Sequence, residues 1–259
     1  MTKLPCICLT FDLEEFDLPL EYKQTISIEK QMEITTLGVN VLLSLLDKYN
    51  ISCTFFTTAN YAQHNADLVK KISVKHEIAS HSFFHSLFHV NDLKKSKKTL
   101  EEICGTEVVG FRMPRMAPVN YNDLKEAGYK YDSSLNPTCI PGRYNHFSKS
   151  KIIYKENGLT IFPASVTPHV RTPLFWLTFK NFSIKWYCKQ VQKCLTAYGY
   201  ANIYLHPWEF TAISDFSIPG YIAKNPKLMT EKFEFLLEAY KNKARFVSIK
   251  SFLQERNEL

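Results

Sequence analysis

The sequence predicts an α/β protein in which parallel strands alternate with helices as in a barrel. Three observations point there. Short apolar runs alternate with helix-length segments along the chain. The first run, residues 4–11, is almost continuously apolar, as expected of a strand buried on both faces. Finally, Asp12, His81, Arg112, Asp132 and His206 fall at or just past the ends of separate predicted strands. In a parallel barrel that rim is where chemistry is assembled. A length of 259 residues fits one domain, 1–259, because α/β barrels of roughly 200–250 residues commonly form single units.

The elements follow in order. Residues 28–49 carry Ile34, Leu37, Val41 and Leu45 at helical spacing, with Leu42 and Leu46 widening the stripe. Residues 51–57 are β-branched and aromatic, which predicts a strand. A helix is expected over 60–75, then a short strand over 77–80 running into a His-rich turn. Asn91 can cap a helix that continues to about Cys104. On it, Lys97 with Glu101 and Lys98 with Glu102 form i,i+4 pairs of a solvated face. Strands are expected at 107–111, 129–133, 159–165, 201–205 and 245–248. Helices are expected at 121–128, 184–198 and 228–242, with a short final helix. Residues 137–157 and 215–226 are rich in loop formers and read as loops.

Composition narrows the classes of function. Apolar residues at 45% and charged residues at 22% exclude a disordered tail, a collagen-like chain and a small disulfide scaffold. The aromatic share, 14%, suits sugar-binding walls as well as core. A net charge of +7 favours anionic glycans or an acidic membrane surface over basic partners. No basic-plus-aromatic module makes nucleic acid a partner. The seven cysteines are scattered and none has CxxC spacing. The N-terminal stretch lacks the length and cleavage site of a signal peptide. No run of about 18 apolar residues predicts a spanning helix. Free thiols in a cytoplasmic setting are therefore expected. Oligomeric state cannot be read from the sequence.

Four constellations carry chemistry. His81 and His85 stand four apart, and on a helical turn both imidazoles would face one side and hold one metal. Neutral imidazole suits Zn, Fe, Co or Ni alike. His89 extends the spacing and reads as surface. Asp12, Glu14 and Glu15 place carboxylates in series at a strand end, which is costly unless they are solvated, paired or metal-bound. One carboxylate with two imidazoles makes a set that leaves positions open for water, as in hydrolytic sites. Arg112 can pair with a carboxylate and orient it. His206 follows an apolar strand, and its imidazole suits proton donation to a leaving group.

Taken together, these motifs resemble the polysaccharide deacetylases, carbohydrate esterase family 4, of the nodulation-type deacetylase kind. The resemblance rests on Thr10-Phe11-Asp12, Cys53-Thr54-Phe55-Phe56-Thr57, Ala66-Asp67-Leu68-Val69 and the string from His76 to His85. It continues through Phe111-Arg112-Met113-Pro114, Tyr131-Asp132-Ser133-Ser134-Leu135 and Leu205-His206-Pro207-Trp208-Glu209-Phe210. It implies a distorted (β/α)7 TIM-like barrel and metal-dependent hydrolysis of an N-acetyl group from an amino sugar. It also implies roles: Asp12 as catalytic base, His81 and His85 as metal ligands, Arg112 as the group orienting Asp12, and His206 as general acid assisted by Asp132. The cofactor implied is a divalent metal, Zn2+ first, with Co2+ or Ni2+ as substitutes.

Two positions depart from the family pattern. The second of two adjacent Asp, usually a metal ligand, is Leu13 here, which makes Glu14 the expected ligand and Glu15 the reserve. Arg115 and Met116 stand where the family often has an aromatic and a small residue, so substrate contacts differ. The expected substrate is an N-acetylated saccharide or a lipid-linked glycan precursor, with peripheral membrane contact. The stretch 173–179, with Phe182, Trp186 and Tyr187, suits either a hydrophobic lip or buried packing, and packing is the simpler reading. Two other functions compete. One is hydrolysis of another non-peptide C–N bond, such as a cyclic amide. The other is a catalytically silent sugar-binding homologue.

Overall fold

The computed structural model describes residues 4–141 and 144–259. The single-domain expectation for 1–259 therefore extends, at residues 1–3 and 142–143, outside the described residues. The chain runs β1 (Cys6–Leu13), α1 (Leu18–Glu21), α2 (Ile28–Lys48), β2 (Thr54–Thr57), α3 (Ala59–His64), α4 (Ala66–Ser73), β3 (Glu77–Ser80) and α5 (Asn91–Cys104). It continues through β4 (Gly110–Phe111), α6 (Tyr121–Glu126), β5 (Tyr131–Asp132), β6 (Cys139–Ile140), β7 (Tyr144–Asn145), β8 (Tyr154–Glu156) and β9 (Leu159–Ile161). It closes with α7 (Trp176–Asn181), α8 (Ile184–Tyr198), β10 (Tyr200–Leu205), α9 (Pro226–Tyr240), β11 (Arg245–Phe246) and α10 (Ile249–Glu255).

Seven strands pair in parallel in the order β10-β1-β2-β3-β4-β5-β9, and the sheet curls into a distorted (β/α)7 barrel. Strand β1 is paired on both edges, and all eight of its residues are buried. That explains its nearly unbroken apolar sequence. β10 pairs along one edge of β1. Its other edge is shared end to end, β11 at Cys6 and Ile7, then β2 from Thr10 onward. The barrel closes without a regular ladder. The Ser165 amide donates to the Asn202 carbonyl at 2.9 Å, and Phe175 bridges Tyr204. This seam is the source of the distortion.

Several expected elements are altered. The helix expected over 60–75 breaks into α3 and α4 at Asn65, whose backbone leaves the helical region. The loop expected over 137–157 holds the β6–β7 hairpin and β8, which pairs antiparallel with β9. Helix α7 was not expected, and it packs Trp176 and Phe179 into the core. Leu174, Trp176, Phe179 and Tyr187 are buried, so that stretch packs and does not form a lip. Phe182 and Trp186 stack outside it at 4.4 Å between ring centroids. None of the seven cysteines forms a disulfide. No described helix is long and apolar enough to cross a membrane.

One close approach matters for the site. Gly38 on α2 lies against the turn after β10, where an added Cβ would sit 1.9 Å from the Pro207 carbonyl oxygen. Only glycine lets α2 press this closely on the turn that carries His206.

Candidate metal centre and proton-transfer site

Each predicted rim residue stands at the C-terminal end of its strand. Asp12 lies within β1, and Glu14 and Glu15 follow it directly. His81 follows β3, Arg112 follows β4, Asp132 ends β5 and His206 follows β10. Parallel pairing brings the first four strands and β10 side by side, which gathers distant sequence into one rim.

The two imidazoles meet, but not on a helical turn. Residues 81–90 form an irregular loop with Ser82 in the left-handed region (φ 65°). The loop is pinned to the start of α3. The amides of Ala59 and Asn60 donate to the carbonyls of Ser82 and Phe83, at 3.1 and 2.9 Å. The otherwise unpaired first N–H groups of a helix thus fasten the loop. Glu15 adds a clamp, because one oxygen accepts the His85 amide at 3.0 Å and the other accepts the Thr58 hydroxyl at 2.7 Å. Glu15 is therefore committed to backbone and Thr58, and Glu14 is the carboxylate facing the rings. His89 is exposed, as expected.

Glu14 Oε2 lies 3.0 Å from His81 Nε2 and 3.2 Å from His85 Nε2. Ligand atoms of Glu14, His81 and His85 all fall within 4.8 Å of one another. Each ring is oriented from behind. His81 Nδ1 faces the Arg112 carbonyl at 2.8 Å, and His85 Nδ1 faces Asp17 Oδ1 at 2.8 Å. Such backing fixes the tautomer that leaves Nε2 free for a metal. Among the described residues, Glu14 Oε2 and His81 Nε2 are buried and have no hydrogen-bond partner. Buried polar atoms are normally satisfied, so this pair fits a divalent cation. Burial disfavours the protonated His85 ring, yet Glu14 and the Asp17 hydrogen bond outweigh it and lift its pKa to about 9. A cation seated among these ligands would have to displace that proton.

Asp12 sits between this trio and His206. One oxygen accepts from Arg112 Nη1 at 2.6 Å. The other lies 4.0 Å from His81 Nε2 and 3.9 Å from His206 Nε2. Burial raises the Asp12 carboxyl, but Arg112 leads the opposing charges that hold it below its ordinary value. Arg112 is itself fully buried, with Nη1 also on the Thr10 hydroxyl at 3.0 Å and Nε on the Ser133 carbonyl at 3.1 Å. A guanidinium so fixed holds Asp12 ionised and aimed.

His206 is boxed by aromatics. Trp208 stacks on it at 5.0 Å and Trp176 meets it edge-on at 5.4 Å. Asp12, Glu14, His85, Tyr204, His206 and Trp208 line one cleft. Asp132 is not brought to His206. Its carboxylate accepts the Ser134 amide at 3.1 Å and the Ser134 hydroxyl, and it borders a separate cleft with Tyr121 and His146. Burial pushes its pKa up to about 6. The carboxylate behind His206 is Glu209 instead. Glu209 Oε2 accepts the His206 amide at 2.9 Å and lies 3.7 Å from Nδ1.

Sequence reading missed Asp17, Glu209 as a partner of the acid, and Lys180. Asp17 continues the carboxylate series after Asp12, Glu14 and Glu15, a signal that was present. Arg115 closes over it, Nη2 on Asp17 at 3.2 Å and Nε on Glu21 at 2.8 Å. Glu209 stands three residues after His206, the spacing of a capping box. Lys180 had no local signal.

Comparison with known proteins agrees with this layout. The polysaccharide deacetylase family model matches residues 2–131. No curated protein matches the chain. A Mycobacterium smegmatis structure described as a polysaccharide deacetylase superposes with a TM-score of 0.66 at 18% identity, covering 98% of this chain and 91% of that one. A Pseudomonas aeruginosa PAO1 structure of the same description gives 0.65 at 14% identity, with coverages of 96% and 89%. The PuuE allantoinase gives 0.64 at 14% identity, again with 96% and 89%. At these identities the structural likeness establishes the fold.

Proposed function

The chain belongs to the polysaccharide deacetylase family, and from that premise we propose that it is a divalent-metal-dependent hydrolase removing N-acetyl groups from an amino-sugar-containing saccharide. The observation that carries this reading is the Glu14, His81 and His85 trio, flanked by Asp12 on one side and His206 beyond it. In this reading the three residues hold Zn2+, with Co2+ or Ni2+ as substitutes, and residues 1–259 act as one catalytic domain. The bound cation supplies Lewis acidity to an amide carbonyl and to water.

The chain's own groups do the rest. Asp12, kept ionised by Arg112, accepts the proton of the attacking water. The Nε2 of His206 donates a proton to the amide nitrogen, which departs poorly until protonated. Trp176 and Trp208 exclude water from one side of that ring and hold its plane. In this reading Glu209, which lies 3.7 Å from Nδ1, assists it in place of Asp132. The presence of both base and acid beside the trio favours turnover over a silent sugar-binding role. A lipid-linked precursor reaching the cleft from a membrane surface fits the net charge of +7.

Acetate release from N-acetylated chitooligosaccharides tests the reading. Zn2+-loaded wild type should release acetate, and His81→Ala or chelation should abolish it. Asp12→Asn and His206→Ala should each lower kcat roughly 10²- to 10⁴-fold while retaining metal. Undiminished turnover after His81→Ala, or ring opening of a cyclic amide without acetate release, would overturn it.

A further inference from the structure

We propose that Lys180 is a positioning residue for proton donation: it fixes the Glu209 carboxylate and, through it, the ring of His206. The inference rests on the deacetylase reading for its kinetic arm. The two oxygens of Glu209 are divided between two tasks. Oε2 accepts the His206 amide at 2.9 Å and faces Nδ1 at 3.7 Å. Oε1 lies 2.9 Å from Lys180 Nζ.

Both partners are almost completely buried, with side chains 1% and 0% exposed. A buried ion pair is weak evidence for stability, because desolvation offsets its attraction. It needs another reason to be there. The position supplies one. Lys180 extends from α7, the same short helix that sets Trp176 against the His206 ring. Its ammonium lies against both the Trp176 and Trp208 rings, at 5.0 and 4.8 Å from their centroids. It also donates to the Ile222 carbonyl at 2.7 Å, and Ile222 lines the cleft. Lys180 itself does not line that cleft. It therefore ties three segments around the proton donor without touching a substrate there.

Removing Lys180 would leave Glu209 buried beside only a backbone amide and an imidazole. An uncompensated buried carboxylate takes up a proton or turns away. Either change frees the His206 amide and removes the negative charge 3.7 Å from Nδ1, so the ring is no longer fixed with Nε2 facing Asp12. The consequence is specific to reactions whose leaving group must be protonated.

The test compares an amide with an activated ester on the Zn2+-loaded protein. In Lys180→Met, kcat for N-acetyl chitotetraose should fall roughly 10- to 100-fold, short of the loss of the general acid itself, with KM little changed. Hydrolysis of 4-nitrophenyl acetate, whose phenolate leaves without a proton, should be nearly unaffected. Glu209→Gln should show the same selectivity, and adding Lys180→Met to it should change nothing further. Equal losses on both substrates, or defects that multiply in the double variant, would overturn the assignment. If Lys180→Met does not fold, the charge-free pair Lys180→Gln with Glu209→Gln, compared with Glu209→Gln alone, gives the same decision. A second readout needs no turnover. Long-range 15N–1H spectra of His206 should show one sharp set of ring signals in wild type and a broadened or split set in Lys180→Met. An unchanged ring spectrum contradicts the proposal. Should wild type release acetate from neither substrate, the deacetylase reading falls and the ring spectra still decide the role of Lys180.

Discussion

Glu14 and Glu15 are adjacent in sequence and opposite in use. Successive side chains of an extended backbone point to opposite sides, so Glu14 joins the imidazoles while Glu15 turns to the His85 amide and Thr58. Glu14→Gln should lose most metal affinity, whereas Glu15→Gln should keep it and loosen the loop that carries His85. Hydrogen exchange at the His85 amide, with a metal titration of both variants, checks the distinction. Asp132 gives a prediction in pH. Burial pushes its pKa up to about 6, from an ordinary carboxyl value of 3.8. The native state thus holds the proton more tightly, and the residue's contribution is neutral below about pH 4 and unfavourable above 6. Asp132→Asn should gain stability relative to wild type between pH 4 and 7.5, by about 3 kcal/mol at most. Urea unfolding at the two pH values measures it, and a constant difference would refute the burial argument. Most of these residues were legible from chemistry alone: a His pair, a run of acids, an Arg and a His after apolar strands. The resemblance draws Asp132 to His206, whereas the carboxylate found beside His206 is Glu209, three residues beyond it on the same short turn.

Elements were legible in proportion to their periodicity. The helices α2, α5 and α8 begin and end close to the residues that apolar spacing indicates, although Asn91 is the first residue of α5 and not its cap. Strands β4 and β5 shrink to two residues each, because a strongly curled sheet keeps few regular pairs. Helix α7 was hidden, since its aromatic residues follow packing against β10 and carry no helical stripe. The His81–His85 spacing suggested a helical turn, but the ring geometry is set by the loop's bonds to α3 and Glu15. Where α2 meets the turn carrying His206, Gly38 is decisive. Gly38→Ala should destabilise the fold by about 1–3 kcal/mol through overpacking, and lower kcat by displacing Pro207 and His206. Denaturant unfolding and acetate-release kinetics measure both effects, and a wild-type turnover number in a folded Gly38→Ala protein would break the link between α2 and the acid.

At the level of the molecule, the parallel barrel explains why residues as far apart as Asp12, His81, Arg112 and His206 form one site. Each strand delivers one chemical group to the same rim, and the order of strands decides which groups become neighbours. The sequence pattern conveyed that rim, because Asp12, His81, Arg112 and His206 each stand where an apolar run ends. It could not convey the seam between β9 and β10, or the burial of Lys180 against Glu209, since both depend on contacts between distant segments. The account as a whole rests on a cation seated among Glu14, His81 and His85. Direct titration of the metal-free protein with Zn2+ tests it most plainly. A single ion should bind per chain with release of protons and a raised unfolding temperature, and this binding should vanish in His81→Ala and Glu14→Gln but persist in Glu15→Gln. Undiminished Zn2+ binding by His81→Ala would contradict it.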